Sequence, residues 1–354
     1  MTTAPTNPCL RLRPNVRALR AYTPGEQITD CLKLNTNESA WPPSPAVAHT
    51  LHNFALEALR VYPQPLADDL RQVAASHYDC QASQILAGNG SDDCLTILYR
   101  AFCGPGSHIA TPWPSYGLYD TLAGIQDIPA EHHAFDHSWE LPGSLYGNQA
   151  ALTLIANPNN PSATCRPRDE LRDLAASLPG LLVVDEAYVD FAGADSSILP
   201  WLDDIPNLVV LRTFSKSYSL AGARLGLLFG SQELVAQLMK IKDSYNVNAL
   251  TQAVGIAALQ DHTYHRHMVT NTVTARVELE GMLSSFGWTW PRSQANFLLC
   301  QVGPRAEALY RSLKQRGILV RWWDTDELRE KLRITIGQAA DNQRLVAALQ
   351  DLDA

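Results

Sequence analysis

Apolar residues in the first 44 positions are scattered among prolines and polar groups, a pattern that predicts an extended arm rather than a core element. From Pro45 the pattern turns helical. The stretches Ala46 to Arg60 and Leu66 to Tyr78 both carry apolar residues at helix-like spacing. Short apolar runs then alternate with helical segments. The predicted strands are Gln84–Ala87, His108–Thr111, Ala151–Ala156, Leu181–Asp185, Leu208–Arg212 and Arg224–Phe229, with helical stretches such as Asp169–Ser177 between them. That alternation predicts an α/β fold in which helices cover a mostly parallel sheet.

The pattern changes after about Asp261. A long helical stretch leads into three short strands, Phe297–Gln301, Ile318–Arg321 and Leu332–Ile336, separated by helices. They predict a second, smaller α/β layer, which the N-terminal arm joins. The expected organisation is an arm over residues 1–44 that forms part of the small domain, a large domain over 45–265 and a C-terminal small domain over 266–354.

Composition narrows the class. A chain of 354 residues, 46% apolar and 18% charged, is globular and long enough for two cores. The net charge of -8 argues against non-specific binding to nucleic acid or anionic membrane. The 7 cysteines are odd in number and form no CxxC pair, so neither a disulfide framework nor a structural metal site is expected. The opening residues hold no apolar run of signal-peptide kind, and no stretch is long and apolar enough to span a bilayer. The expected location is the cytoplasm.

Candidate chemistry collects just past the predicted strands, where ligands of open α/β sheets sit. In Ala87-Gly88-Asn89-Gly90-Ser91-Asp92-Asp93 the glycines allow a tight turn, and Ser91 and Asp92 open a helix whose first N–H groups suit a phosphate. From this segment alone an ordinary capped turn is the better reading. Asn157-Pro158-Asn159-Asn160-Pro161-Ser162-Ala163 is a rigid polar loop in which Asn157 can donate into the crevice, or simply a loop. Asp185 ends the apolar run Val183-Val184, where a buried carboxylate needs a partner such as a pyridinium N–H. Tyr188, three residues on, can reach a phenolate oxygen. The alternative for Asp185 is a cap on the next helix.

The most specific segment runs from Arg212 to Gly226. Lys216 lies among hydroxyl side chains just past a buried strand, and a lysine so placed suits Schiff-base chemistry. Ser215 and Arg224 can hold a phosphate, Arg224 by a bidentate contact. A solvated lysine on a Ser-rich loop is the plainer reading, but it leaves this company of residues unexplained.

These four segments, in this order, resemble the fold-type-I aminotransferase superfamily, and more closely the histidinol-phosphate aminotransferases within it. The match extends to Tyr22-Thr23-Pro24-Gly25-Glu26-Gln27, Leu34-Asn35-Thr36-Asn37-Glu38, Tyr62-Pro63, the stretch Tyr245 to Asn248, and Leu332-Arg333-Ile334-Thr335-Ile336-Gly337, so it covers nearly the whole chain. Departures fall on the pocket wall. Ser162-Ala163 stand where Thr-Gly is usual, Asp93 where Glu is usual, and Trp322-Trp323 where smaller aromatic pairs are more common.

The resemblance implies a mostly parallel seven-stranded sheet and pyridoxal 5'-phosphate held by Lys216, which then moves the proton as base and acid. It implies that Asp185 pairs with the pyridine nitrogen, that Asn157 and Tyr188 bond the ring oxygen, and that Tyr116 stacks on the ring. Ser91, the Asp92 backbone N–H, Ser215 and Arg224 would take the cofactor phosphate, with Tyr62 from a second subunit of a homodimer. Tyr22, Asn157, Arg321 and Arg333 would bind substrate, the two arginines reading either a phosphate or the carboxylate of glutamate. The implied reaction joins histidinol phosphate and 2-oxoglutarate in histidine synthesis. Rival readings are an aromatic amino acid aminotransferase and a phosphothreonine decarboxylase of the same fold.

Overall fold

The computed structural model describes residues 11–19 and 25–352. Its eleven strands are β1 (Leu32–Lys33), β2 (Ile85–Gly88), β3 (Ile109–Trp113), β4 (Ala130–Ala134), β5 (Leu152–Ala156), β6 (Leu181–Asp185), β7 (Leu208–Thr213), β8 (Gly226–Phe229), β9 (Phe297–Gln301), β10 (Ile318–Leu319) and β11 (Lys331–Thr335). Seven of them form one sheet in the order β2-β8-β7-β6-β5-β3-β4. Only β8 is reversed, running antiparallel to both β2 and β7.

The central strands are continuous apolar runs because both sheet faces are covered. Successive residues alternate between two cores: Leu182 and Val184 of β6, with Leu208 and Val210 of β7, enter one. Leu181, Val183, Val209 and Leu211 enter the other. The edge strand β4 carries no such run. Its sequence Ala-Glu-His-His-Ala is largely exposed, and the apolar pattern does not reveal it. It belongs to the sheet through its parallel ladder with β3, and its charged side chains suit an edge.

The small layer has its own core, built from residues such as Leu279, Leu298, Leu313, Leu332 and Leu345. There β9 pairs antiparallel with β11, and β1 pairs parallel with β10. Leu32–Lys33 of the arm thus pair with a strand of the small layer. The arm is not wholly extended, since Pro14–Ala18 is a short helix. Asn15 Nδ2 and Arg13 Nη2 of that segment donate to Gly124 O (2.8 Å) and Ile125 O (2.7 Å) of the large domain. The helix His262–Leu283 runs through the expected division at 265/266. The helix expected from Ala46 to Arg60 breaks after His52 and resumes as a 3-10 turn, Leu56–Arg60. Among the described residues no helix is long and apolar enough to cross a membrane.

Candidate active site

A cavity of about 750 Å³ lies between the carboxyl ends of the large-sheet strands and the small layer. Parallel strands deliver their ends to one edge. Ser91 follows β2, Tyr116 follows β3, Asp185 ends β6, and Ser215 and Lys216 follow β7; all line the cavity. Because β8 is reversed, its beginning lies at the same edge, and so does Arg224 just before it.

Asp185 is buried. Tyr119 Oη donates to its Oδ2 at 3.1 Å and the Ala187 N–H to its Oδ1 at 3.2 Å. Burial pushes its carboxyl up to about 6, against the downward pull of those two hydrogen bonds. Lys216 Nζ donates to the Thr36 carbonyl at 3.2 Å and stands 5.6 Å from the Tyr188 ring centre. Tyr188 Oη accepts from Asn37 Nδ2 at 3.0 Å. Glu38, also on the wall, is held below its ordinary range: burial pushes it up, but Lys33 and Thr36 hydrogen bonds and the Lys33 and Lys216 charges outweigh that.

At one end of the cavity Ser91 opens the helix Ser91–Phe102 behind Gly90, whose φ of 89° favours glycine. A Cβ at Gly90 would meet Arg224 Nη2 at 2.5 Å, and one at Gly226 would crowd the Ser91 nitrogen. The two glycines thus let a guanidinium approach a helix start. Arg224 Nη1 donates to Ser215 Oγ (3.3 Å) and Nη2 pairs with Asp92 Oδ2 (3.1 Å). Tyr116 Oη donates to Asp92 Oδ1 at 3.2 Å. Helix N–H groups, two hydroxyls and a guanidinium form a donor set of the kind a phosphate needs. With the buried carboxyl of Asp185 and the amine of Lys216, these residues fit pyridoxal phosphate.

At the other end Arg321 and Arg333 face each other across an antiparallel bridge, each donating its N–H to the other's carbonyl at 2.9 Å. Both line the cavity. Arg333 Nη1 donates to Asn160 Oδ1 and its Nη2 to the Asn35 carbonyl (2.7 Å).

Behind Asp185 and Lys216 is a second, closed set of charges. Arg212 on β7 pairs with Glu186 (2.9 Å) and Asp190 (2.8 Å), and its Nη2 donates to Ser197 Oγ (3.1 Å). Asp190 Oδ2 accepts from Ser217 Oγ at 2.5 Å. The residues flanking Asp185, Tyr188 and Lys216 are thereby tied together.

Of three further expected site residues, two do not line the cavity of this chain and one lies outside the described residues. Asn157 does not line the cavity: it is buried in its own loop, where its Oδ1 accepts the Arg166 N–H (2.6 Å) and its Nδ2 donates to the Arg166 carbonyl (3.2 Å). The asparagine of this loop that reaches the cavity is Asn160. Tyr62 is 77% exposed and stacks on Tyr245, ring centres 4.4 Å apart, away from the cavity of its own chain. Tyr22 lies outside the described residues. Sequence reasoning missed Thr36, Asn37, Tyr119 and Asn160. The first two sit inside the Leu34 to Glu38 match, which was the available signal.

The sequence model of aminotransferase class I and II matches residues 29–349. The chain is 41% identical to histidinol-phosphate aminotransferase 1 of Trichormus variabilis over 345 residues, 96% of this chain and 98% of that protein. It is 38% identical to histidinol-phosphate aminotransferase of Chromohalobacter salexigens, over 95% of this chain and 97% of that one. Among solved structures it is similar to histidinol-phosphate aminotransferase from Sinorhizobium meliloti in complex with pyridoxal-5'-phosphate. There the TM-score is 0.89 at 26% identity, with 97% of each chain covered. Lysine and buried acid at the strand ends, phosphate donors beside them and similarity along the full length agree: this chain belongs to the aminotransferase class I and II family.

Proposed function

We propose that the protein transfers the amino group of L-histidinol phosphate to 2-oxoglutarate, giving imidazole-acetol phosphate and glutamate, with pyridoxal phosphate as its cofactor. The observation that carries this reading is one cavity with Lys216 and the buried Asp185 at one side and two opposed arginines at the other. When bound, the cofactor supplies an electron sink for the pair left on the substrate's α-carbon.

The chain's own residues do the rest. Lys216 holds the cofactor aldehyde in the resting protein and serves as the base at the substrate's α-carbon. Asp185 keeps the ring nitrogen protonated, and Tyr119 orients that carboxylate. Tyr188 and Asn160 bond the ring oxygen, Asn160 replacing Asn157 in this role because it is the one on the cavity wall. Tyr116 limits the ring's tilt. Ser91, the Asp92 N–H, Ser215 and Arg224 take the cofactor phosphate. Arg321 and Arg333 read the phosphate of one substrate and the carboxylate of the other. Like charges directly opposite on paired strands are unfavourable, which fits a site completed by an anion.

A second copy of the chain completes the site through Tyr62. Leu56, Leu59, Val61, Tyr62, Ile241 and Tyr245 are exposed, an apolar surface suited to a homodimer. The substrates would be metabolites of histidine synthesis, which supports a location in the cytoplasm.

The test is a half-reaction. Mixing the purified holoenzyme with histidinol phosphate alone should convert the bound cofactor to its pyridoxamine form, seen by absorbance. Phenylalanine and phosphothreonine, tried in the same way, should convert it far more slowly or not at all. Faster conversion with phenylalanine, or release of carbon dioxide from phosphothreonine, would replace this reading with a rival.

A further inference from the structure

The small-layer end of the cavity carries an arrangement that the anion-reading role of Arg321 and Arg333 does not by itself explain. The two arginines are a directly opposed pair, hydrogen-bonded in both directions through their backbones. Such residues project to the same side of the ladder, so two permanent positive charges are brought together on one cavity wall. A single side chain meets both of them. The Arg321 guanidinium lies 5.3 Å and the Arg333 guanidinium 5.2 Å from the ring centre of Trp323, which also lines the cavity. Its neighbour Trp322 does something different. Its Nε1 donates to the Arg329 carbonyl at 2.8 Å, and its ring stacks on Tyr310 against the small-layer core. One indole of the pair is packing, and the other is a shared face for two cations.

We infer that Trp323 is a specificity-determining residue that holds the two guanidiniums convergent and so favours a dianionic tail over a monoanionic one; the inference rests on the transamination reading above. An aromatic face carries negative charge density and attracts a guanidinium placed over it. Here it offsets the mutual repulsion of Arg321 and Arg333 when no substrate is present. A carboxylate offers two oxygens and is satisfied by one guanidinium fork. A phosphate monoester offers three oxygens and about two charges, and engages both forks only if they already point at one spot. Without the indole face the Arg321 guanidinium relaxes away from that of Arg333, which Asn160, the Asn35 carbonyl and the Phe297 ring still hold. The dianion then loses the second fork, while the carboxylate keeps the first.

The test compares Trp323→Leu, which keeps an apolar side chain without a π face, with Trp323→Phe, which keeps a smaller π face. Both are assayed as holoenzymes, with the cofactor site filled. Calorimetry with inorganic phosphate and with acetate reads the anion preference without turnover. Steady-state kinetics read KM for histidinol phosphate and for glutamate. Trp323→Leu should weaken inorganic phosphate and raise the KM of histidinol phosphate about tenfold, with acetate and glutamate changed by no more than about threefold. Trp323→Phe should recover most of the loss. Equal losses for both anion classes, no loss for either, or a Phe variant as poor as the Leu variant would each overturn the inference. Arg333→Ala is the control on the underlying reading. If it leaves both anions bound as before, the anion site itself is misassigned. If it weakens both while Trp323→Leu discriminates nothing, only the role of Trp323 fails.

Discussion

Arg212 and Arg224 belong to one connection, from the end of β7 to the start of β8, and stand on either side of Lys216. They are held in opposite ways. Arg212 is enclosed between two carboxylates, with side-chain exposures of 9% for itself and 0% for Glu186. Arg224 shares one carboxylate, Asp92, and both side chains are almost half exposed, at 43% and 42%. A buried ion pair gives little net stability over apolar packing, yet breaking it is costly because the remaining charge cannot return to water. A half-exposed pair exchanges partners cheaply. The back of the site is therefore a fixed frame joining the segment that bears Asp185 and Tyr188 to the segment that bears Lys216. The front is an open clamp that an anion can enter.

The sharpest way to break this contrast is Arg212→Ala. It leaves the buried Glu186 without its cation and Asp190 with His265 as its remaining ion-pair partner, and should destabilise the apo protein by about 3–5 kcal/mol. Denaturant unfolding followed by far-UV circular dichroism measures it. A loss below about 1 kcal/mol, the range of a surface pair, would mean the frame is not a frame.

A second contrast lies between the carboxylates. Burial pushes Asp190 up, but His265 and Arg212 outweigh it and hold its carboxyl below the ordinary range. Asp185 lies outside the frame and is raised by burial from 3.8 to about 6. The folded chain thus binds the Asp185 proton more tightly than the unfolded chain does. Its contribution to stability is complete below about pH 4 and is lost as pH rises through about 6. Asp185→Asn removes this dependence. The apo variant should match wild type below about pH 4 and exceed it by about 3 kcal/mol at pH 8. Adding the cofactor should reverse the order at pH 8, because a pyridinium gives the carboxylate its cation. Parallel stability curves for the two apo proteins across this range would show that Asp185 is not the raised group.

The contrast also marks what the sequence could and could not reveal. Strands β6 and β7 and the lysine after them are legible because they are continuous apolar runs ending in reactive groups. The frame is not legible, since Glu186, Asp190, Arg212 and Ser217 come together only through sheet order and register. Tyr119 reads as one more apolar position in the helix Leu118–Gln126, and only the fold brings its hydroxyl to Asp185. The loop after β5 holds two Asn-Pro pairs, and spacing does not say which amide faces the cavity. Asn157 is nearest the strand, yet it closes the loop on Arg166 while Asn160 lines the wall. The polar edge strand β4 escaped for the reverse reason: its place depends on a neighbour's ladder, not on its own pattern.

The smallest expected effect on folding, and the one that separates clamp from frame, comes from Arg224 and Asp92. Arg224→Ala should change apo stability by less than about 1 kcal/mol, because its pair is half exposed. The same change should weaken capture of pyridoxal phosphate by roughly tenfold to a hundredfold, the loss of a charge-assisted hydrogen bond. Asp92→Asn should act in the opposite direction on the anion. It removes a negative charge that competes with phosphate for Arg224, so the apo protein should bind inorganic phosphate a few-fold more tightly at unchanged stability. Equilibrium dialysis of the cofactor and titration calorimetry with phosphate give the two affinities. If Arg224→Ala instead unfolds the apo protein as readily as Arg212→Ala does, both arginines are structural. If Asp92→Asn weakens phosphate, the carboxylate orients the guanidinium rather than competing for it, and the front of the site is as fixed as the back.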